Sequence, residues 1–138
     1  MIIDAKNMIV GRIATVAAKN ALLGQKIDIV NCGNAIITGK KKFLLENTKK
    51  EKDRGTYKGP FIPKTADRFV RRIIRGMLPY KQDKGKVAYK RIMCHVGVPK
   101  EFEGKGIMEI AKADITKVKN LNYITIKEIC KKLGNKRG

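Results

Sequence analysis

The sequence predicts a single α/β domain with helices on both faces of a small, parallel sheet. The chain has 138 residues, which suits one compact domain better than two independent cores. Hydrophobic residues make up 43% of it, enough to form a core. Short apolar runs alternate with stretches of helical periodicity along the chain, as they do in βαβ folds.

The N-terminal part of the chain has the pattern of a strand, a helix and a second strand. Residues 2–4 form a short strand, and residues 11–23 form a helix because their apolar positions recur at spacings of three and four. Gly24 can end this helix. Residues 27–30 then form a strand buried in a sheet. A helical crossover between neighbouring strands favours their parallel pairing.

The middle of the chain predicts two helices separated by a loop. Residues 40–54 form a strongly polar helix whose only apolar anchor is Phe43, Leu44 and Leu45. The glycines and prolines of residues 55–64 indicate an extended loop. Thr65 is a candidate N-cap for a helix over residues 66–77.

The C-terminal part predicts a helical turn, two strands and a final helix. The turn covers residues 84–91 and leads into residues 92–96, the best candidate for the central strand. A last strand is expected at residues 122–124, with residues 107–112 as the competing choice. Thr125 and Glu128 then form a capping box that begins the final helix.

The charge of the chain predicts a polyanionic partner. Lysine and arginine number 32 against 12 acidic residues, which gives a net charge of +20 and a pI near 10.1. Nucleic acid is the leading partner class and an anionic membrane surface is the second. Residues 40–91 hold 12 lysines and 6 arginines against 5 acids, and so carry +13 of that excess.

The helix over residues 66–77 has two chemically opposed faces. The residues expected to pack inward are Phe69, Val70, Ile73, Ile74 and Met77. The other side carries Arg68, Arg72 and Arg75, with Arg71 beside them. Like charges at this spacing destabilise an isolated helix, so the stripe favours an external anion, and the planar guanidinium group suits phosphate. An ordinary solvated face is the alternative, although such faces normally mix charges of both signs.

Lys40, Lys41 and Lys42 form a second basic cluster at the predicted start of a helix. Positive charge there opposes the helix macrodipole unless a phosphate binds. A simple solvated charge run explains this cluster equally well.

A third basic cluster lies in the loop over residues 76–86. Its charged and aromatic residues are Tyr80, Lys81, Lys84 and Lys86. Such a loop suits RNA, because an unpaired base can stack on the ring while lysines neutralise phosphates. Tyr80 could equally serve ordinary packing, as could Tyr57, Phe61 and Tyr89 elsewhere in the chain.

Residues typical of metal sites or catalysis are sparse in this sequence. Cys32, Cys94 and Cys130 are far apart and odd in number, so we expect small buried residues rather than disulfides or metal ligands. His95 is the only histidine, and we expect it to be buried and hydrogen-bonded. Cys94 and His95 would point to opposite faces of a strand, which argues against a nucleophile pair. No phosphate-binding glycine motif follows a strand, so no nucleotide cofactor is expected, and the spacing of the cysteines with the single histidine gives no reason to expect a metal.

The sequence also bears on the cellular compartment. Charges interrupt every apolar stretch before the roughly 18 residues that a transmembrane helix needs. The N-terminus lacks the pattern of a secretory signal, and we therefore expect a cytoplasmic protein.

Several segments resemble the family of large-subunit ribosomal protein thirteen, in its archaeal and eukaryotic form. The most specific segment is Val-Arg-Arg-Ile-Ile-Arg-Gly-Met-Leu-Pro at residues 70–79. The other matching segments, in the same order along the chain, are residues 3–14, 30–31, 38–40, 59–60, 84–92 and 96–99.

This resemblance implies a three-layer α/β/α domain with a four-stranded parallel sheet, without catalytic activity. It also implies a structural protein that binds large-subunit, 23S-type ribosomal RNA, contacts neighbouring ribosomal proteins and supports early assembly of the subunit. The RNA-facing positions implied by correspondence are Arg12, Lys40, Arg71, Arg72, Arg75, Lys81, Lys84 and Lys86. The charge pattern by itself selects all of them except Arg12.

Two other functions remain as alternatives from sequence. An RNA-processing enzyme on an α/β scaffold would turn over RNA or bind a nucleotide. A peripheral membrane protein would need a free apolar helix face, whereas the apolar face of residues 66–77 is required by the core.

Overall fold

The computed structural model describes residues 1–119 and 121–135. Its strands are β1 (Ile2–Asp4), β2 (Ile27–Val30), β3 (Ile36–Thr38), β4 (Ile92–Cys94) and β5 (Tyr123–Thr125). Its helices are α1 (Val10–Leu22), α2 (Lys41–Asp53), α3 (Ala66–Gly76), α4 (Asp83–Lys90) and α5 (Ile126–Lys132). None of the described helices combines the length and apolar content needed to cross a bilayer.

The strands form two sheets, and the α/β class is confirmed. β1, β2 and β4 form a parallel sheet in that spatial order, whereas β3 and β5 pair antiparallel. The expected four-stranded parallel sheet therefore has three full strands. At the fourth position Met108 makes a single parallel bridge to Ile3, where its amide donates to the carbonyl of Ile2 at 2.8 Å. Both segments considered for the last strand contribute: residues 122–124 overlap β5 with an offset of one residue, and residues 107–112 contain the Met108 bridge.

β4 lies at the edge of the parallel sheet, so the prediction that it is the central strand is wrong. β2 occupies the centre, and all four of its residues are buried. The apolar run that begins at Ile92 suggested a strand buried on both faces, but Met93 within it is 41% exposed. Strand order depends on the crossover connections, which an apolar run by itself does not reveal.

The hydrophobic core lies on one face of the parallel sheet. Ile3, Ile29 and Cys94 are aligned across the three strands on that face and are buried. α1 contacts both α3 and α4, which places these three helices in one layer. On the opposite face, the short helical turn Lys100–Phe102 brings the Phe102 ring against His95, with 5.4 Å between ring centroids.

The residues predicted to begin and end the helices are confirmed in part. The Thr125 hydroxyl accepts a hydrogen bond from the amide of Glu128 at 3.3 Å, so the predicted cap of α5 is confirmed. Gly24 follows α1 with a φ of 99°, a conformation that glycine adopts at low cost. Thr65 stands at the N-cap position of α3, but its side chain makes no capping hydrogen bond. Asp67 in the first turn instead provides the negative charge that suits a helix N-terminus.

Candidate nucleic-acid interface

The α3 helix separates its arginines into two environments. Val70 and Ile74 are buried in the core and Phe69 and Ile73 are partly buried against it, as the periodicity of the sequence predicts. Ala66, which the sequence did not single out, is buried as well. Arg68 and Arg72 are exposed on the opposite side of the helix. Met77 lies just beyond the helix end and is 44% exposed, so its predicted inward packing is wrong.

Arg71 is half-buried and contacts α4. Its guanidinium carbon lies 4.4 Å from the centroid of the Tyr89 ring, and Nη2 donates to the Tyr89 carbonyl at 3.4 Å. Its Nε atom is buried without a hydrogen-bond partner in the described part of the chain. Arg71 therefore joins two helices, a role that its charge alone did not indicate.

Arg75 contacts the basic loop that follows α3. Its guanidinium carbon lies 5.0 Å from the centroid of the Tyr80 ring, within the range of a cation–π interaction. Tyr80 nevertheless remains exposed. The contact fixes the orientation of the ring while leaving part of its surface available to a ligand.

Gly85 determines how the basic loop packs against α4. A Cβ atom at this position would collide with the Pro79 carbonyl, so only glycine allows this close approach. Lys84 and Lys86 flank it and are exposed, as is Lys81. Lys86 forms an ion pair with Asp83 at 3.1 Å, and both side chains face solvent.

The lysine cluster at the start of α2 lies on the surface. Lys40 is the N-cap residue, and the first turn contains no acidic residue. Lys41 pairs with Glu128 of α5 at 3.1 Å, whereas Lys42 is exposed without an acidic partner in the described residues. The predicted apolar anchor of this helix is only partly correct, because Leu44 and Leu45 are half-buried but Phe43 is 65% exposed.

Arg12 projects from the first turn of α1 beside residues that the sequence did not single out. Its Nη1 atom donates to the Lys112 carbonyl at 2.6 Å. Arg12, Lys112 and Lys117 line one shallow cleft together with Thr15, Val16 and Ile110. The two lysines were missed because they lie about a hundred residues away in sequence, outside the region of greatest charge.

Arg91 shows that a basic residue within residues 40–91 can serve the fold. Its Nη1 atom donates to the Ala21 carbonyl at 3.1 Å, near the C-terminus of α1. The same carbonyl also accepts from the Gly24 amide at 3.1 Å, and a cation at this end of a helix interacts favourably with the macrodipole.

The three cysteines are buried, and the environment of two of them suppresses thiolate formation. A hydrogen bond with the Cys32 thiol, followed by burial, raises the pKa of Cys94 far above its ordinary value. Burial, with a smaller effect from the charge of Asp67, raises the pKa of Cys130 to about 11. Cys94 and Cys130 therefore stay protonated at neutral pH, and a protonated thiol is a poor nucleophile.

His95 is half-buried rather than fully buried, in contrast to the prediction. Its Nε2 atom lies 3.6 Å from Oδ1 of Asp28, within ion-pair range but without a hydrogen bond. The histidine follows the edge strand β4, and the side of the sheet on which it lies is less completely covered. Within residues 1–119 and 121–135, no three histidine, cysteine or carboxylate side chains are grouped closely enough to hold a metal ion.

Comparisons with other proteins identify similar chains. The profile of the family described as "Ribosomal protein L13" matches residues 1–101. The large ribosomal subunit protein uL13 of Methanopyrus kandleri is 40% identical over 136 residues, covering 96% of this chain and 86% of the relative. The uL13 protein of Picrophilus torridus is 43% identical, covering 96% and 95% of the two chains. That of Methanosarcina barkeri is 39% identical and covers 98% of both.

Proposed function

The chain belongs to the ribosomal protein L13 family, and from this premise we propose that it is a structural protein of the large ribosomal subunit. It binds large-subunit ribosomal RNA, contacts neighbouring ribosomal proteins and supports early assembly in the cytoplasm. It catalyses no reaction, so the RNA-processing enzyme considered from sequence is set aside. The chain acts as one domain over residues 1–138, a proposal supported by a core that draws on residues from Ile3 to Leu133.

The observation that carries this proposal is a positive surface whose cations mostly lack an acidic partner in the described part of the chain. Of the twelve residues predicted from sequence to bind RNA, Lys41 and Lys86 pair with carboxylates in the described part of the chain. The other cationic residues of that set have no acidic partner there. Protein surfaces normally intersperse charges of both signs, so an unbalanced surface suits a polyanion such as RNA.

The geometry supports two roles among the proposed RNA-binding residues. Those with exposed charges are suited to neutralise phosphates directly: Arg12, Lys40, Lys41, Lys42, Arg68, Arg72, Lys81, Lys84 and Lys86. Arg71 and Arg75 instead contact aromatic rings, and Arg75 thereby holds the exposed Tyr80 ring at the proposed surface. The exposed cations then supply most of the affinity for RNA, and the arginines that contact rings maintain the shape of the protein surface.

The salt dependence of RNA binding tests this proposal. With in vitro transcribed large-subunit ribosomal RNA, neutralising about 6 to 10 phosphates should weaken binding by roughly three to five decades between about 50 and 200 mM salt in the duplex limit. Irregular RNA should give a smaller loss. The binding constant is measured by filter binding over a salt series.

A pair of double variants makes the measurement specific to α3. Replacing Arg68→Gln and Arg72→Gln should make the salt slope shallower by about one for each phosphate that the helix no longer neutralises. Replacing Lys19→Gln and Lys26→Gln removes the same charge from exposed positions outside the proposed surface and should change the slope less. A flat salt response of the parent protein, or equal losses in both variants, would contradict the proposal.

A further inference from the structure

Two aromatic side chains project from the loop between α2 and α3. Tyr57 is 89% exposed and Phe61 is 73% exposed. Burying an aromatic side chain is strongly favourable, so two exposed rings a few residues apart indicate a binding surface. The sequence did not single out either residue as a site.

The loop is held in a defined shape by its own hydrogen bonds. The Gly59 amide donates to the Thr56 carbonyl at 2.9 Å, and the Thr56 hydroxyl donates to the Gly59 carbonyl at 3.1 Å. These bonds close a tight turn with Tyr57 and Lys58 at its tip. The aromatic side chains are therefore presented by an ordered turn, which reduces the entropy lost when a ligand binds.

Gly59 allows the Phe61 ring to pack against the turn. Its φ is 99°, in the region that favours glycine. A Cβ atom at this position would lie 3.3 Å from Cε2 of Phe61. The ring thus has a packed side at Gly59 and remains largely open to solvent elsewhere.

The turn is connected to the proposed RNA-binding surface. Nη1 of Arg72 donates to the Phe61 carbonyl at 3.4 Å, which joins the turn to α3. Residues 54–66 contain three cations, Arg54, Lys58 and Lys64, and no acidic residue. The segment that carries both rings is therefore positively charged, although Asp53 and Asp67 lie just outside it, and this charge suits an anionic partner.

We propose that the turn at Tyr57–Phe61 is a stacking site for unpaired nucleotides of the ribosomal RNA. This inference rests on the function proposed above and names the chemical group that this part of the surface binds. Every base has a π face that can stack on an aromatic ring, while Lys58 at the tip neutralises the adjoining phosphate. A paired helix offers no free base face, so the site distinguishes unpaired from paired RNA.

A tryptophan reporter tests the stacking directly. The chain contains no tryptophan, so Tyr57→Trp introduces a single indole at the tip of the turn. The probes are a short single-stranded oligoadenylate and a short RNA duplex with the same number of phosphates. Oligoadenylate should quench the indole fluorescence strongly at saturation, and the duplex should quench it little. Equal quenching by both probes, or none by either, would overturn the proposal.

A double variant measures the contribution to ribosomal RNA binding. Tyr57→Leu with Phe61→Leu retains apolar side chains and every charge but removes both rings. Affinity for transcribed large-subunit RNA should fall about 5- to 150-fold for each stacked base. The salt slope should stay unchanged, because the variant neutralises as many phosphates as the parent. Leu23→Ala, at an exposed apolar position at the end of α1, is the matched control and should bind as the parent does.

The outcomes separate this proposal from the function on which it rests. Thermal unfolding should show closely similar midpoints for the double variant and the parent, since both rings are mostly exposed and leucine keeps an apolar side chain at each position. A folded double variant that binds RNA with the parent's affinity would refute stacking. If that variant also failed to enter reconstituted large subunits, the turn would contact a protein instead. Failure of the parent itself to bind ribosomal RNA would refute the proposed function, while the oligoadenylate measurement would still decide on stacking.

Discussion

α1 and α2 are both 13 residues long but belong to opposite parts of the molecule. α1 buries six residues in the core, whereas α2 buries none and contacts α5 and β5 only along one side. Five lysines and three acidic residues lie within α2, and its first turn has no acidic residue. The two helices therefore reach the same length for different reasons. Burial of an apolar face stabilises α1, whereas α2 depends on helix propensity with limited packing.

α3 combines both kinds of surface in one helix. Its buried side packs like α1, while Arg68 and Arg72 are exposed like the lysines of α2. Arg71 lies at the boundary, because its charged group contacts Tyr89 of α4. The boundary between the core and the proposed RNA-binding surface therefore runs along α3 rather than between separate segments of the chain.

The largest expected difference in stability is between two variants that introduce an aspartate, one in α1 and one in α2. Ala17→Asp puts an unpaired carboxylate at a fully buried position, which should cost several kcal/mol and unfold most of the protein. Asn47→Asp changes an exposed position of α2. It replaces a 3.4 Å hydrogen bond to Glu51 with a solvent-exposed like-charge pair and should alter the free energy of unfolding by only about half a kcal/mol. Circular dichroism during thermal unfolding measures both. Similar melting curves for the two variants would remove the distinction between the helices.

An intermediate effect is expected at the boundary within α3. Arg71→Gln removes the interaction with Tyr89 and should lower the free energy of unfolding by about 1–2 kcal/mol. Arg72→Gln should leave stability within about half a kcal/mol but weaken RNA binding by about 1.5–3 kcal/mol if RNA desolvates the guanidinium group of the parent. Urea unfolding and RNA filter binding on both variants give the two quantities. If Arg72→Gln proved the more destabilising, the assignment of the two arginines would have to be exchanged.

The smallest effect concerns the two threonines at helix starts. Thr125→Ala removes the capping hydrogen bond to Glu128 and should cost about 1 kcal/mol of stability. Thr65→Ala is the matched control, because the Thr65 side chain makes no capping hydrogen bond, and should cost only a few tenths of a kcal/mol. Midpoints of urea unfolding compare the two variants. Equal shifts would mean that the cap of α5 contributes no more than an ordinary surface position.

The sequence predicted the elements whose signal is local. β1, α1 and β2 lie within one residue of their expected positions, because apolar periodicity and Gly24 determine them without reference to the rest of the chain. The place of β4 in the sheet could not be predicted in this way, since it depends on which strands the crossovers bring together. Phe43 and Met77 were predicted to pack inward because they are apolar. In the folded chain, too few other residues cover these two side chains to exclude water.

The candidate interface was predicted from charge, and charge does not indicate where a guanidinium group will lie. The exposed positions of Arg68 and Arg72 follow from the helical spacing. Arg71 follows the same spacing, yet its position depends on Tyr89 in another helix. Lys112 and Lys117 could not be grouped with Arg12 from sequence, because only the folded chain brings these distant segments together.

The position of β4 at the edge of the sheet affects whether copies of the protein associate with one another before they bind RNA. An edge strand offers unpaired backbone groups to a second molecule, and pairing of such edges is a common route to aggregation. Here the edge is only three residues long, and Pro99 follows it closely. Two approaching copies also each carry a net charge of +20. Short length and mutual repulsion together disfavour edge-to-edge pairing, so the charge that attracts RNA also protects newly made chains from self-association.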